Sequence, residues 1–323
     1  MPRTICVEGD DYLIEVFSKR TNKPTAYPSL KPTEVGQGAR KYPSFTPLEY
    51  AISKDGINWT SSFDDPNLDG AYCYKAPDVQ PANPTDNLQK IGLMDGSRLL
   101  STSYSTRELK MEIFFEGIDE GDAELAYDAL QRFLISRDPY WICFANWPQR
   151  MYYVKAKLAS PTFAGDRHWT CEVTFTDLIG LSRSVGTTQD PVMGFGNNYN
   201  AAPQYTFNSN SFTVVNHSDV MIDPERRGHP FKLTLQGSSS GNMKITNKTT
   251  GDVFTRNLTY TKDGTTAFNG TYVIDGVRPT LNGKSDDYYT NKGVITLQIG
   301  KNDFQIDNFS GTVTFDYPDW WLS

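Results

Sequence analysis

Histidine and cysteine are scarce in this chain of 323 residues, with three and four respectively. His168, His217 and His229 stand far apart, and none belongs to H-E-x-x-H or another ligand spacing. Cys6, Cys73, Cys143 and Cys171 never form C-x-x-C, so neither a structural zinc site nor a disulfide framework is expected. Cys143 and Cys171 fall inside apolar strand patterns, where a buried reduced thiol is the expectation. Basic charge is also short: Lys+Arg 31 against Asp+Glu 38 gives a net charge of -7, no footprint for tracking phosphates. No window approaches the ~18 apolar residues of a membrane span. The start reaches Glu8 before any apolar signal core forms, so no secretory leader is expected.

Catalytic motifs are missing in the same way. Gly237-Ser238-Ser239-Ser240-Gly241 sets its glycines one residue too far apart for a nucleophile elbow. Gly194-Phe195-Gly196 lacks the third glycine and the helix of a phosphate loop. Asp10-Asp11, Asp64-Asp65 and Asp286-Asp287 are loop neighbours, which point apart into solvent. Ser53 to Thr60 is similar to an Asp-box turn but occurs once, with its Asp-to-Gly spacing one short. A hairpin turn stapled by Trp59 accounts for it. The expectation is a protein that is not an enzyme, with no cofactor and no metal.

What is present is strand pattern. Ile5 to Phe17 reads as two short strands around an acidic turn. Nine of the 19 prolines lie between residues 20 and 90, which predicts extended loop there. The exception is a hairpin over Leu48 to Ser62, with Tyr50 and Ile52 facing Ile57 and Trp59 across Lys54-Asp55-Gly56. Leu109, Met111, Ile113 and Phe115 alternate with polar residues at period two. A single helix follows over about Asp122 to Arg137: acidic at its start, with an Ala126/Ala129/Leu130/Phe133/Leu134 stripe, and stopped by Pro139. Strands then follow at Tyr140 to Phe144, Tyr152 to Leu158 and Trp169 to Phe175.

Residues 182 to 212 lose periodicity, placing a domain boundary near 200. Beyond it short strands alternate with turns, at Phe212, Phe231, Met243, Thr271, Ile295 and Val313. The expected class is mainly β (α+β): domain 1–199 a β-sandwich type with one helix, domain 200–323 an all-β sandwich or jelly roll.

From about Leu93 onward the layout resembles a known family. Asp95 to Leu100 and Tyr104 to Phe115 are similar to its strand before the helix. The acidic helix start, the aromatic strand after it and the junction Ser184-Val185-Gly186-Thr187-Thr188 keep its order. So do Ile245 to Phe254, Val273-Ile274-Asp275-Gly276 and Leu297 to Phe304. The family is the distal tail (Dit) proteins of long-tailed phages infecting Gram-positive bacteria.

The resemblance implies an N-terminal belt domain forming a hexameric ring and a C-terminal galectin-like sandwich. The ring would join the tail tube to the tail-tip hub, the receptor-binding apparatus and other baseplate proteins. The protein would be made in the host cytoplasm and sit at the distal end of the virion tail. DNA would pass through the central channel, whose acidic walls would repel it; no membrane and no sequence-specific nucleic acid enter as partners. The sugar-binding signature of galectins, a His-x-Asn-x-Arg strand with a Trp-Gly pair, is missing from the second domain. Ring surfaces are expected on the first domain's edge strands and around Leu48 to Ser62, with Tyr50, Ile52, Ile57 and Trp59 as candidate interface residues. The rival readings are a carbohydrate-binding module for cell-wall glycans and a glycoside hydrolase with opposed carboxylates.

Overall fold

A computed structural model describes residues 15–25, 45–93, 95–190, 205–258 and 265–323. The strand expected over Ile5 and Val7, most of the Tyr12 to Phe17 strand, Cys6, much of the proline-rich stretch and the boundary near 200 lie outside them. The described residues form two compact units, Glu15–Val185 with Leu322–Ser323, and Gly186–Trp321.

In the first unit eleven strands precede or follow one helix. They are β1 (Tyr50–Ser53), β2 (Thr60–Ser61), β3 (Ala71–Val79), β4 (Asn83–Gln89), β5 (Arg98–Ser105) and β6 (Arg107–Glu116), then, after the helix, β7 (Tyr140–Phe144), β8 (Arg150–Leu158), β9 (Thr162–Gly165), β10 (His168–Asp177) and β11 (Ser182–Ser184). The main sheet runs β2-β1-β7-β8-β10-β6-β3, antiparallel throughout. Its period-two strands bury alternate residues: Leu109, Met111, Ile113 and Phe115 on β6 lie opposite Phe175, Val173, Cys171 and Trp169 on β10 in one core.

Helix α1 (Glu120–Leu134) lays Ala123, Ala126, Leu130 and Leu134 on that core. Asp119 caps it by accepting from the Asp122 N–H at 2.9 Å, and Asp122 reaches back to accept from the Ile118 N–H at 3.0 Å. This reciprocal cap starts the helix two residues before the expected Asp122. At the other end the helix stops at Leu134, short of Arg137. Trp169 fixes helix to sheet: its indole N–H donates to the Ala123 carbonyl at 2.8 Å while its ring stacks on Phe115.

Two readings change. Residues 71–89, expected as loop, are largely strand. Pro77 fits because β3 is an edge strand and its register shifts between Lys75 and Asp78; Pro84 fits because β4 pairs on one side only. In the 48–62 hairpin, Ile52 pairs with Thr60 and Ala51 with Ser61, so Ile57 and Trp59 belong to the turn. The Asp55 carboxylate explains the longer turn: it accepts from the N–H groups of Ile57 and Asn58, both at 2.8 Å, and from the Ser53 hydroxyl at 2.9 Å. Those donors hold its pKa far below the usual carboxylate range.

The second unit packs two antiparallel sheets. One contains β12 (Thr206–Phe207), β14 (Lys232–Ser239), β17 (Phe268–Asp275), β18 (Arg278–Leu281), β19 (Lys284–Ser285) and β21 (Ser310–Asp316), in the order β12-β21-β14-β17-β18-β19. The other is β13-β20-β15-β16, built from β13 (Ser211–Asn216), β15 (Met243–Asn247), β16 (Val253–Arg256) and β20 (Gly300–Asp307). Aromatic rings join the layers: Phe207 stacks on Phe212 at 4.2 Å, and Phe304 meets Phe315 edge-on at 5.0 Å. Ile295 to Ile299, expected as a strand, makes a single bridge through Leu297 to Ile222. Side-chain amides take over its backbone instead: Asn247 donates to the Thr296 carbonyl, Asn216 to that of Leu297, and Asn302 bonds both the N–H and the carbonyl of Gln298.

Candidate assembly surface

The buried titratable groups act structurally. In the first unit Arg107 and Asp177, both fully buried, pair at 3.0 Å, and Arg107 also donates to the carbonyls of Gln80 and Leu322. Burial pushes the Asp177 pKa up against the pull of Arg107. In the second unit Arg256 makes a two-point bond to Asp286, at 2.6 and 3.0 Å.

Cys73, Cys143 and Cys171 are buried free thiols, and burial raises the pKa of Cys73 to about 12 and of Cys171 to about 11. Such thiols are inert as nucleophiles. His229 is buried, its ring stacked on Trp320 at 5.1 Å. Its Nδ1 accepts from the Asp223 N–H. Among the described residues no three His, Cys, Asp or Glu side chains form a metal-binding group.

The four residues singled out near the first hairpin do not share one surface. Tyr50 is buried in the core, edge-on to Phe133 at 6.0 Å, and desolvation raises its pKa well above normal. Ile52 packs half-buried against the same core, and Trp59 is half-buried as well. Ile57 alone is exposed, at 66 %.

Two features that the sequence reading missed dominate the unit's surface. Beyond Val79 and before Arg107 the edge strand pair continues as a separate two-stranded arm, β4 with β5. Pro81, without an N–H, interrupts the ladder between the two stretches. At the arm's root an added Cβ on Gly180, whose φ is +75°, would meet the Ser105 carbonyl oxygen at 2.1 Å, so only glycine lets the two backbones approach. Every residue of β4 is exposed, and the apolar side chains Leu88, Ile91, Leu93, Leu99 and Leu100 are 42 to 103 % exposed. The available signal was that apolar cluster around the Gly92 and Gly96 turn.

The second feature is a groove of about 1020 Å³ between α1, the turn Pro66–Leu68 and the starts of β3 and the last residues of β6. Its walls carry Ile118 and Leu125, both largely exposed, among the carboxylates Asp65, Asp69, Glu116, Asp122 and Asp128.

The arm and much of the groove lie inside residues 73–176, which match the family of the phage tail protein RIFT-related domain. No curated protein matches the chain in sequence. The crystal structure of the SPP1 phage Dit protein (gp 19.1), described as a paradigm of the hub adsorption apparatus in phages infecting Gram-positive hosts, is 16 % identical. It aligns over 83 % of this chain and 98 % of its own, with a TM-score of 0.54. The phage p2 baseplate structure in its activated conformation with Sr is 11 % identical, over 84 % of this chain and 97 % of that one, at a TM-score of 0.38. Residues 73–176 thus match a phage tail protein domain, and the chain that carries them has the mainly β fold seen in the SPP1 Dit protein.

Proposed function

We propose that this protein is a structural component of a phage tail tip, closing into a hexameric ring that links the tail tube to the hub and receptor-binding apparatus. It is made in the host cytoplasm and sits at the distal end of the virion tail. The observation that carries the reading is the match of residues 73–176 to a phage tail domain, because that stretch includes the unburied arm and one wall of the groove. Surfaces of that kind suit a part whose neighbours arrive on assembly. The unit Glu15–Val185 makes the ring, and of Tyr50, Ile52, Ile57 and Trp59 it is Ile57 whose side chain is exposed to touch a neighbour. The domain from about residue 200 onward adds to the outside of the ring without closing it.

Electron microscopy of the purified full-length protein tests the proposal. A six-fold annulus is expected; a monomer at tens of micromolar overturns it. Turnover of a cell-wall glycan by the same preparation would overturn the non-enzymatic reading.

A further inference from the structure

From the geometry of the arm and the groove we infer that they are partners in trans: the tip of one copy's arm seats in the groove of the next copy. This rests on the ring reading above and says which residues close the ring.

The arm needs a partner. A two-stranded hairpin standing alone is marginal in water, and monomers rarely leave a contiguous apolar patch larger than a few hundred Å² in solvent. Here Leu88 and Leu99 pair across the ribbon, with Leu100 beside them and Ile91 and Leu93 at the turn, all exposed. The chemistry of the tip is apolar with a positive balance, since Lys90 and Arg98 face a single acid, Asp95, between residues 88 and 100.

The groove has the complementary chemistry. Ile118 and Leu125 supply the apolar wall. Its two cations are already engaged, Lys23 with the buried Glu49 at 2.8 Å and Arg132 with Asp128 at 2.6 Å. The carboxylates of Asp65, Asp69 and Asp122 accept hydrogen bonds from local donors, but these bonds leave the negative charge in place. A leucine-rich tip carrying Lys90 and Arg98 therefore fits both the wall and the charge.

Topology decides that the two meet between copies. The groove lies at the ends of the strand pair marked by Ala71 and Phe115, and the arm leaves from the opposite end, marked by Val79 and Leu109. The intervening β3 has nine residues, about 30 Å of strand, while β4 adds only ~23 Å pointing onward. A knob at one end of a ribbon and its socket at the other form a head-to-tail contact, the kind that closes into a ring. One face of such an arm covers several hundred Å² per partner, approaching the roughly 800 Å² per side of a standard specific interface.

Three full-length proteins test the inference by native mass spectrometry: the unaltered chain, an arm variant (Leu93→Asp with Leu100→Asp) and a groove variant (Leu125→Arg). The expected result is a six-fold drop in mass for each variant alone, and a species of twice the monomer mass when the two are mixed. The mixture retains one intact arm facing one intact groove, an outcome that misfolding cannot produce. Rings that persist in both variants overturn the arm-in-groove contact and leave the ring reading standing, with the arm directed at a different protein. Loss of the ring in one variant only, or a mixture that stays monomeric, also overturns it. An unaltered chain that never associates overturns both. Should either variant fail to fold by circular dichroism, the Leu93→Cys/Leu125→Cys chain replaces it. A bismaleimide must then give a 93–125 cross-link between copies, and its absence overturns the contact.

Discussion

The two units treat their paired strands in opposite ways. In Gly186–Trp321, β14 pairs with both β17 and β21 and buries Leu233, Leu235, Val313 and Phe315 between the sheets. Polar side chains there turn inward and find partners, as Asn216, Asn247 and Asn302 do. In Glu15–Val185 the core under α1 is just as closed, yet β4 and β5 continue past it with their apolar side chains in solvent. The central strands of the sandwich keep their leucines inside their own unit, whereas the arm carries Leu88, Leu99 and Leu100 into solvent, and the proposed contact between copies depends on that difference.

The sharpest way to break that comparison is to remove a buried acid from each unit. Asp177→Ala and Asp286→Ala should each cost about 3–5 kcal/mol, because each strands a buried guanidinium. Urea denaturation reads the loss. Arg107 also holds the Gln80 carbonyl at the arm's root, so hydrogen exchange over residues 83–105 should rise in Asp177→Ala and stay unchanged in Asp286→Ala. Equal protection of the arm in both would mean that Arg107 does not anchor it.

Next in size is Asn302→Ala, which leaves the Asn247 amide and the Gln298 N–H short of a partner and should cost roughly 1–3 kcal/mol. A neutral result by urea melt would show that water replaces that network.

A pH series tests the sandwich from another side. Burial lowers the His229 pKa to about 4, so the unfolded chain takes up that proton first, and stability falls as pH drops from about 6.5 toward 4. Burial raises the Asp319 pKa to about 6, with the opposite sign: its folded form takes up the proton first, so stability rises as pH falls through 6 toward the ordinary carboxylate value. Burial lowers the His217 pKa as well, with the same sign as His229, so His217→Gln combined with His229→Gln should make the urea midpoint increase on acidification from pH 7 to 5. A midpoint that still falls would contradict the assignment.

The smallest effect is the most telling for the arm. Leu93→Ser should change the stability of the monomer by no more than about 0.5 kcal/mol, since nothing in its own chain covers the side chain. A larger loss, measured in dilute monomer, would show that the arm folds back on its own unit.

Period-two patterns such as Leu109-Met111-Ile113-Phe115 and Trp169-Cys171-Val173-Phe175 were legible because each strand is half-buried, and burial of one face is what writes alternation into a strand. The helix was legible for the same reason at its own period. Strands 71–79 and 83–89 were not, because Pro77 and Pro84 argue against strand unless one knows that they sit at an edge, and edges are a property of the sheet. The groove was hidden too: Asp65, Phe115 and Leu125 come from three elements, and no local spacing announces their meeting.

By itself the sequence determined the mainly β class, the lone helix and its buried stripe, and the order of segments that resembles the Dit family. These follow from short-range rules of capping, turn chemistry and alternating burial, which neighbouring residues carry among themselves. Only the tertiary structure decided that Tyr50 belongs to the core and Ile57 to the surface, and that one strand pair ends in an apolar arm and begins at an acidic groove. Those outcomes depend on which distant residues reach a side chain before water does, and contacts of that range are settled only when the sheet is assembled.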